Sequence, residues 1–278
     1  MLKIDGHQHF WKYNAERDNW ITEEMAVLRS DYLPIQLEPL LKQHGFSGSV
    51  VIQSAQHKEE NIFQLKNAVK YDFIKGVVGW VDLQAENLEE KLEAMLPYEK
   101  LKGFRHILQG EADRALMLNP QFQRGMKSLS RFGYTYDLLI LPDQLIYARE
   151  LVAAHPGQAF VVDHLGKPDI KNQHLDDWAK DINGLAEYEN IYCKVSGMVT
   201  EADLQHWKKA DFRPYLDVLF ESFGTERLIF GSDWPVCLLA ASYDEVFGIM
   251  EDYMAGFSKD EQARFWGLNA LDFYQISI

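Results

Sequence analysis

Short apolar runs recur along the chain, and segments with helical periodicity separate them. The runs are rich in Val, Ile, Phe and Tyr, as buried strands are, and they lie at residues 2–9, 48–55, 73–83, 101–108, 133–141, 159–165, 190–197 and 227–233. Helices are predicted near residues 35–44, 62–69, 88–96, 120–131, 143–155, 174–188 and 211–223, with two more after the eighth strand. The pattern therefore predicts strands and helices in alternation.

Eight strand–helix units are the number that closes a barrel. Strands that alternate with helices pair in parallel through right-handed crossovers, and eight such units form a (β/α)₈ TIM barrel. An open doubly wound sheet is the alternative, but it would more often carry a Gly-rich loop after the first strand. Here that strand ends in His7-Gln8-His9. We therefore predict an α/β protein of the TIM-barrel class, with one domain over residues 1–278.

Composition and charge narrow the class of partner. With 47% hydrophobic residues among 278, the chain can bury one large core. Its net charge of −14 gives no basic surface for nucleic acid. No run approaches the roughly 18 apolar residues of a membrane span, so we expect a cytoplasmic protein with no membrane partner. No heptad pattern or apolar stripe chooses between a monomer and a homodimer.

Cysteine usage excludes two further kinds of structure. Cys193 and Cys237 are the two cysteines of the chain. Two residues are too few for a disulfide framework or a cysteine-based zinc site. We interpret both as packing residues.

Titratable residues stand at the ends of several predicted strands. In a barrel the C-terminal ends of the strands converge on one cavity. His7 and His9 are two residues apart on the first strand, so they point the same way and can share a metal ion, a proton or an oxyanion. His164 ends the sixth strand and Asp233 the eighth. These four residues predict an active site, although His164 alone could equally cap the barrel end through backbone hydrogen bonds.

Several motifs together resemble the amidohydrolase superfamily. They are HQHFW at residues 7–11, GWVDL at 79–83, GFRH at 103–106, DHLGKP at 163–168, YCKVSG at 192–197 and GSDWP at 231–235. Together they are similar to its sugar-lactonase branch, which contains L-fuconolactonase and L-rhamnono-lactonase-like proteins, along nearly the whole chain. The resemblance implies a hydrolase that opens a sugar-acid lactone, with Asp233 as general base and His7, His9 and His164 around the attacked carbonyl.

The chain departs from the superfamily where a second metal would bind. Many members add a bridging lysine on strand four and a histidine on strand five. Here strand four ends in Arg105 and His106, and residues 133–138 of strand five contain neither lysine nor histidine. We therefore expect no binuclear centre.

A mononuclear site is still compatible with the remaining residues. His7, His9 and Asp233, with His164 as a candidate fourth ligand, form a donor set that zinc accepts. We expect at most one zinc-like divalent cation, which catalysis need not require.

The predicted chemistry is carboxylate-activated attack of water on a lactone. Asp233 takes a proton from the water and returns it to the leaving hydroxyl. His164 and Arg105, helped by His7 or His9, stabilise the oxyanion, and each such donor is worth about 10²–10³ in rate. Arg105 could instead pair structurally with a neighbouring carboxylate.

The lactonase hypothesis requires a sugar lactone as the small-molecule partner. Polar residues at strand ends are the candidates for binding its hydroxyls, namely Gln53, Trp80, His106, Tyr136 and Asp137. Two long loops, residues 10–32 and 111–119, are predicted to form a lid and an aromatic wall.

Four other functions compete with the lactonase. A metal-dependent decarboxylase or hydratase of an unsaturated or aromatic carboxylate would need the missing strand-five histidine. A dicarboxylate-lactone hydrolase would need two or three pocket arginines, of which only Arg105 is evident. A Schiff-base aldolase could use Lys167 or Lys194, but it leaves the histidines without a role. A catalytically inactive sugar-binding or protein-binding barrel would not need four titratable groups at strand ends.

Overall fold

The computed structural model describes residues 1–277 and contains one eight-stranded parallel sheet. Each strand pairs with the next strand along the chain. The strands are β1 (Ile4–Gln8), β2 (Gly48–Ile52), β3 (Ile74–Gly79), β4 (Leu101–His106), β5 (Thr135–Leu138), β6 (Phe160–Val162), β7 (Ile191–Val195) and β8 (Leu228–Phe230). All eight lie inside the predicted apolar runs, and each is shorter than its run because the last residues of the run leave the sheet.

Helices separate the strands as the periodicity predicts. They are α1 (Pro34–Gln43), α2 (Lys58–Lys70), α3 (Leu88–Met95), α4 (Pro120–Phe132), α5 (Leu145–Ala154), α6 (Asp176–Ala186), α7 (Met198–Glu201), α8 (Lys209–Phe223), α9 (Tyr243–Met254), α10 (Lys259–Ala263) and α11 (Asn269–Tyr274). A π-helical turn over Arg264–Leu268 joins the last two. None of these described helices is both long and apolar enough to cross a membrane.

The barrel is nearly closed by contacts between its first and last strands. The Asp233 amide donates to the His7 carbonyl at 2.8 Å, and the His9 amide donates to the Trp234 carbonyl at 2.7 Å. The buried Asp5 carboxylate also accepts a hydrogen bond from the Ser232 amide at 2.9 Å. The predicted (β/α)₈ architecture is confirmed, and this seam sets Asp233 beside the histidines of β1.

The hydrophobic core has two parts. The larger one fills the space between the strands and the surrounding helices. A smaller one fills the N-terminal end of the barrel, where inward residues of the strands such as Ile4, Val50 and Val161 pack against Phe273 and Tyr274 of α11. The C-terminal helix therefore plugs the end of the barrel opposite to the candidate site.

The buried face of α2 differs from the apolar periodicity. Ile62, Leu65 and Val69 recur at helical spacing in the predicted helix over residues 62–69, but Ile62 and Val69 are 51% and 87% exposed. Glu60 and Gln64 are buried instead. Glu60 accepts hydrogen bonds from Ser54, and Gln64 donates to the Phe10 carbonyl at 2.7 Å. These hydrogen bonds to loop groups therefore orient the helix together with the buried Leu65 and Ala68.

Candidate active site

Four predicted residues meet at the C-terminal ends of β1, β6 and β8. His7 lies in β1 and His9 follows it, while His164 and Asp233 stand just after β6 and β8. His164 and Asp233 have left-handed backbones with φ of 55° and 56°. Residues other than glycine rarely adopt this conformation, and those that do often lie at functional sites. The turns that follow β6 and β8 therefore aim both side chains back over the barrel.

One carboxylate oxygen of Asp233 is the centre of the cluster. Asp233 Oδ1 lies 3.3 Å from His9 Nε2, 3.7 Å from His7 Nε2 and 4.0 Å from His164 Nε2. The two imidazoles of β1 face each other, with 3.2 Å between their Nε2 atoms. All four side chains are buried. Three imidazole nitrogens thus surround a carboxylate in a water-poor site, where electrostatic interactions are strong.

Hydrogen bonds define which nitrogen of His9 carries the proton. His9 Nδ1 lies 2.8 Å from the carbonyl oxygen of Ile52. A carbonyl only accepts, so Nδ1 must donate, and neutral His9 presents a lone pair at Nε2. That lone pair faces Asp233 Oδ1 and His7 Nε2. The lone pair of His9 Nε2 and those of Asp233 Oδ1 are only 3.3 Å apart, so a proton or a cation must lie close to both atoms.

Burial and neighbouring charges set the ionisation of the cluster. Burial lowers the pKa of His164 to about 4 and holds the pKa of His7 well below its ordinary value. For Asp233, burial would raise the pKa, but the adjacent His164 and the hydrogen bond with His9 outweigh burial and lower it. At neutral pH the cluster therefore combines an ionised Asp233 with the neutral imidazoles of His7 and His164.

The donor set fits a divalent metal. His7, His164 and Asp233 present ligand atoms that all lie within 4.8 Å of one another. A zinc ion holds its nitrogen and oxygen ligands at about 2.1 Å, which separates tetrahedral ligand atoms by about 3.4 Å. The distances of 3.3 to 4.0 Å from Asp233 Oδ1 to the three imidazoles are close to that spacing. The three candidate ligands that lie close together are thus His7, His164 and Asp233, whereas the sequence analysis proposed His7, His9 and Asp233 with His164 as a fourth ligand.

Arg105 pairs with a buried carboxylate and also borders the cavity. Its Nη1 donates to Asp163 Oδ2 at 2.8 Å and its Nη2 to the Gln53 carbonyl at 2.5 Å. The guanidinium also borders the substrate-sized cavity and comes within 3.4 Å of His7 Nε2. An ion pair therefore holds this cation in place beneath the cavity.

A cavity of about 540 Å³ opens above the cluster. His9, Arg105, His164 and Asp233 form its floor. The lining also contains apolar residues, namely Trp11, Trp20, Met25, Ile107, Leu139, Leu204, Val236 and Leu239. Its polar residues include Gln56, Gln109, Glu111, Lys167 and Glu201. A ligand that combines apolar surface with several hydroxyls suits such a mixed lining.

The predicted hydroxyl-binding residues lie behind this lining. Among residues 1–277, the cavity wall contains none of Gln53, Trp80, His106, Tyr136 and Asp137. Because side chains alternate along a strand, Tyr136 of β5 points outward, with its ring 6.0 Å from that of Phe122. Asp137 points inward but lies deeper in the barrel, where it pairs with Lys194 at 2.5 Å.

His106 and Trp80 support a wall residue. The Trp80 indole lies 3.5 Å from His106 Nδ1, and His106 Nε2 lies 2.7 Å from Glu111 Oε1. An indole N–H only donates, so Nδ1 accepts and Nε2 donates to Glu111. The pair therefore fixes the Glu111 carboxylate at the cavity.

The sequence does not reveal most of the polar residues of the cavity lining. Glu111 lies in the long loop over residues 111–119, which was predicted to border the site without any of its side chains being singled out. Lys167 Nζ pairs with Glu201 Oε1 at 2.7 Å, which accounts for one of the two strand-end lysines. Glu201 ends the short helix α7, and nothing in its local sequence indicates a cavity position.

Gly197 provides a direct test of how closely the site is packed. It has a φ of +64°, and an added Cβ would lie 2.5 Å from His164 Nδ1. We expect Gly197→Ala to displace the imidazole and to lower kcat by about tenfold or more, since small misplacements of reacting groups are costly. Steady-state kinetics would measure this loss.

Gly133→Ala is the matched control for Gly197→Ala. Gly133 has φ and ψ of 77° and 17°, close to the 64° and 9° of Gly197, but an added Cβ would meet nothing within 4 Å. Both variants place alanine in the same left-handed region of the backbone, and only Gly197→Ala presses on His164. Equal kcat values in the two variants would contradict the proposed packing effect.

The fold and the site together define a (β/α)₈-barrel hydrolase, with its polar cluster at the strand C-termini. The family model described as amidohydrolase matches residues 4–276, and the chain belongs to the amidohydrolase family. This match confirms the predicted resemblance to amidohydrolases. Two relatives confirm the resemblance to the sugar-lactonase branch.

Two relatives are named L-fucono-1,5-lactonase. The one from Burkholderia multivorans is 41% identical over 99% of this chain and 96% of its own length. The one from Burkholderia ambifaria is 31% identical, also over 99% and 96%. A crystal structure of an amidohydrolase from B. multivorans with bound zinc shares 40% identity, covers all of both chains and has a TM-score of 0.96.

Proposed function

We propose that this protein hydrolyses the 1,5-lactone of L-fuconic acid or a closely similar sugar-acid lactone. The observation that carries the proposal is a buried Asp233 carboxylate, with its pKa lowered, among three imidazoles at the floor of a cavity whose lining is both apolar and polar. Similarity to two L-fucono-1,5-lactonases over nearly the full chain supports the same substrate class.

The residues of the floor are suited to general-base hydrolysis. Asp233 Oδ1 accepts a proton from a water molecule whose oxygen attacks the lactone carbonyl carbon. The oxyanion that forms accepts hydrogen bonds from His164 and Arg105, with His7 or His9 nearby. The bond between the carbonyl carbon and the ring oxygen then breaks, and Asp233 returns the proton to that oxygen. The product is an open-chain hydroxy acid.

A single divalent cation is compatible with this scheme. His7 and Asp233, together with His164 or His9, would hold it, and it would polarise the carbonyl or acidify the water. A lactone is an activated ester, so the carboxylate and the fixed donors supply a complete route of their own. We therefore infer that one ion can occupy the site without being essential.

Charge pairing in the cavity favours a neutral lactone over a dicarboxylate. The cationic residues of the described lining are Arg17, Arg105 and Lys167. Arg17 pairs with Asp18, Arg105 with Asp163 and Lys167 with Glu201. Each of these cations already has a carboxylate partner. The carboxylates of a dicarboxylate lactone would therefore find no uncompensated positive charge in the cavity. Hydroxyl groups, in contrast, can share these partners.

Lactone hydrolysis with and without chelation tests the proposal. Purified protein, before and after treatment with a chelator, is supplied with L- and D-aldono-lactones while a pH indicator follows acid release. We expect turnover of L-fucono-1,5-lactone in both states, with rates that agree within a few fold. Loss on chelation that zinc restores would make the ion essential, and no turnover of any lactone in either state would reject the function.

A further inference from the structure

A layer of buried charge lies directly beneath the candidate site. Lys194 of β7 is fully buried, and its Nζ lies 2.5 Å from Asp137 Oδ2 and 3.0 Å from Asp163 Oδ1. Asp163 also pairs with Arg105, and Tyr274 donates to Asp137 at 2.9 Å. Two cations and two carboxylates balance, which makes such a buried group tolerable.

Lys194 makes a third contact that charge balance does not require. Its Nζ lies 3.2 Å from His7 Nδ1. An ammonium group only donates, so Nδ1 accepts in this contact, and the proton of neutral His7 is on Nε2. His7 Nε2 then donates across 3.2 Å to the His9 lone pair that the Ile52 carbonyl defines. Hydrogen bonds thus run in one direction from Lys194 through His7 and His9.

Asp163 offers His7 the opposite arrangement. Its Oδ1 lies 3.3 Å from the same Nδ1 atom, and a carboxylate only accepts. If Nδ1 donates to Asp163, Nε2 presents a lone pair to His9 and Asp233. That form needs a cation between the three groups, although Arg105 Nη1 makes a long 3.4 Å approach to Nε2. Lys194 and Asp163 therefore favour opposite tautomers of His7.

We propose that Lys194 is a positioning residue that selects the tautomer of His7. In the metal-free protein its ammonium holds the form with the proton on Nε2, which directs a donor to the His9 lone pair beside Asp233. The form that Asp163 favours is the one suited to a metal ligand. The effect of Lys194 on turnover rests on the proposed function, whereas the tautomer and the affinity for zinc do not.

Two variants separate positioning from charge balance. Lys194→Met leaves one carboxylate of the layer uncompensated, and the double variant Lys194→Met/Asp137→Asn restores the balance without restoring the contact to His7. Tyr274→Phe is the matched control, because it removes a hydrogen bond to Asp137 and keeps Lys194 on His7. Thermal midpoints report stability, and chelated protein gives kcat and KM for L-fucono-1,5-lactone.

Positioning predicts that stability and turnover respond differently. The double variant should regain most of the thermal stability that Lys194→Met loses, while its kcat stays about tenfold or more below wild type, a typical effect of groups that orient a reactive histidine. KM should change less than kcat. A double variant that regains both stability and kcat would overturn the proposal, because Lys194 would then serve charge balance alone.

Two further measurements do not depend on turnover. ¹⁵N NMR of histidine-labelled, metal-free protein, with His7 assigned through a His7→Asn variant, should show a proton on Nε2 in wild type and in Tyr274→Phe, and on Nδ1 in the double variant. Titration with zinc should give a Kd about tenfold lower for the double variant. A proton on Nδ1 in wild type, or an unchanged zinc Kd, would overturn the assignment even if no lactone were hydrolysed.

Discussion

Asp233→Asn is expected to lower kcat on L-fucono-1,5-lactone by about 10³-fold, within the range that a positioned general base contributes. An amide has the shape of the carboxylate but cannot accept the proton of the attacking water. Neighbouring His164 and His9 hold the pKa of Asp233 low, so the wild-type carboxylate is fully ionised at neutral pH. Its replacement therefore removes the base from every enzyme molecule. Single-turnover kinetics would measure the chemical step.

The Asp233→Asn experiment needs a measure of binding as well as of rate. Chelated protein should be used, because the same carboxylate is a candidate metal ligand. Calorimetric titration with the aldonic acid product should give a Kd within a few fold of wild type, since Asp233 is only one group of a cavity of about 540 Å³. Residual kcat above a tenth of wild type would show that another group activates the water.

His164→Asn is expected to lower kcat by about 10²–10³ with little change in KM, which is the effect of removing one oxyanion donor. Burial keeps the pKa of His164 at about 4, so at pH 7 the ring is a neutral donor. Ser196 Oγ lies 2.9 Å from Nδ1. When that hydroxyl donates, the ring proton is on Nε2 and faces the carboxylate.

Ser196→Ala is the control for His164→Asn. It removes the partner of Nδ1 and leaves the imidazole in place, so kcat should fall by less than in His164→Asn. Steady-state kinetics of both variants in chelated protein would compare them. If His164→Asn raised KM and left kcat unchanged, His164 would bind substrate equally in the ground and transition states.

The barrel and its four polar strand-end residues could be predicted because both follow from local patterns. Apolar runs that alternate with helical segments determine parallel pairing, and parallel strands bring their C-terminal ends together. Residues as distant as His9 and Asp233 were therefore expected to be neighbours. The roles assigned to them stay predictions until the variants are measured.

Depth along a strand could not be read in the same way. A two-residue period says that Tyr136 and Asp137 face opposite sides, but it does not say how far below the cavity a strand places them. The structure buries Asp137 against Lys194, 57 residues away in sequence. Side chains on loops, such as Glu111 and Glu201, depend on tertiary contacts for which no sequence period exists.

The hydrogen bond from Tyr274 to Asp137 connects α11 to the buried charges of Lys194 and Asp137 beneath His7. The seam between β1 and β8 brings Asp233 to the first strand. Synthesis runs from the N-terminus, and domains fold as units. His7 and His9 thus leave the ribosome before Asp233, and they gain this carboxylate neighbour only after β8 has emerged. A nascent chain is expected to hydrolyse nothing until β8 has been synthesised and paired with β1, so the seam that completes the barrel also sets the onset of activity.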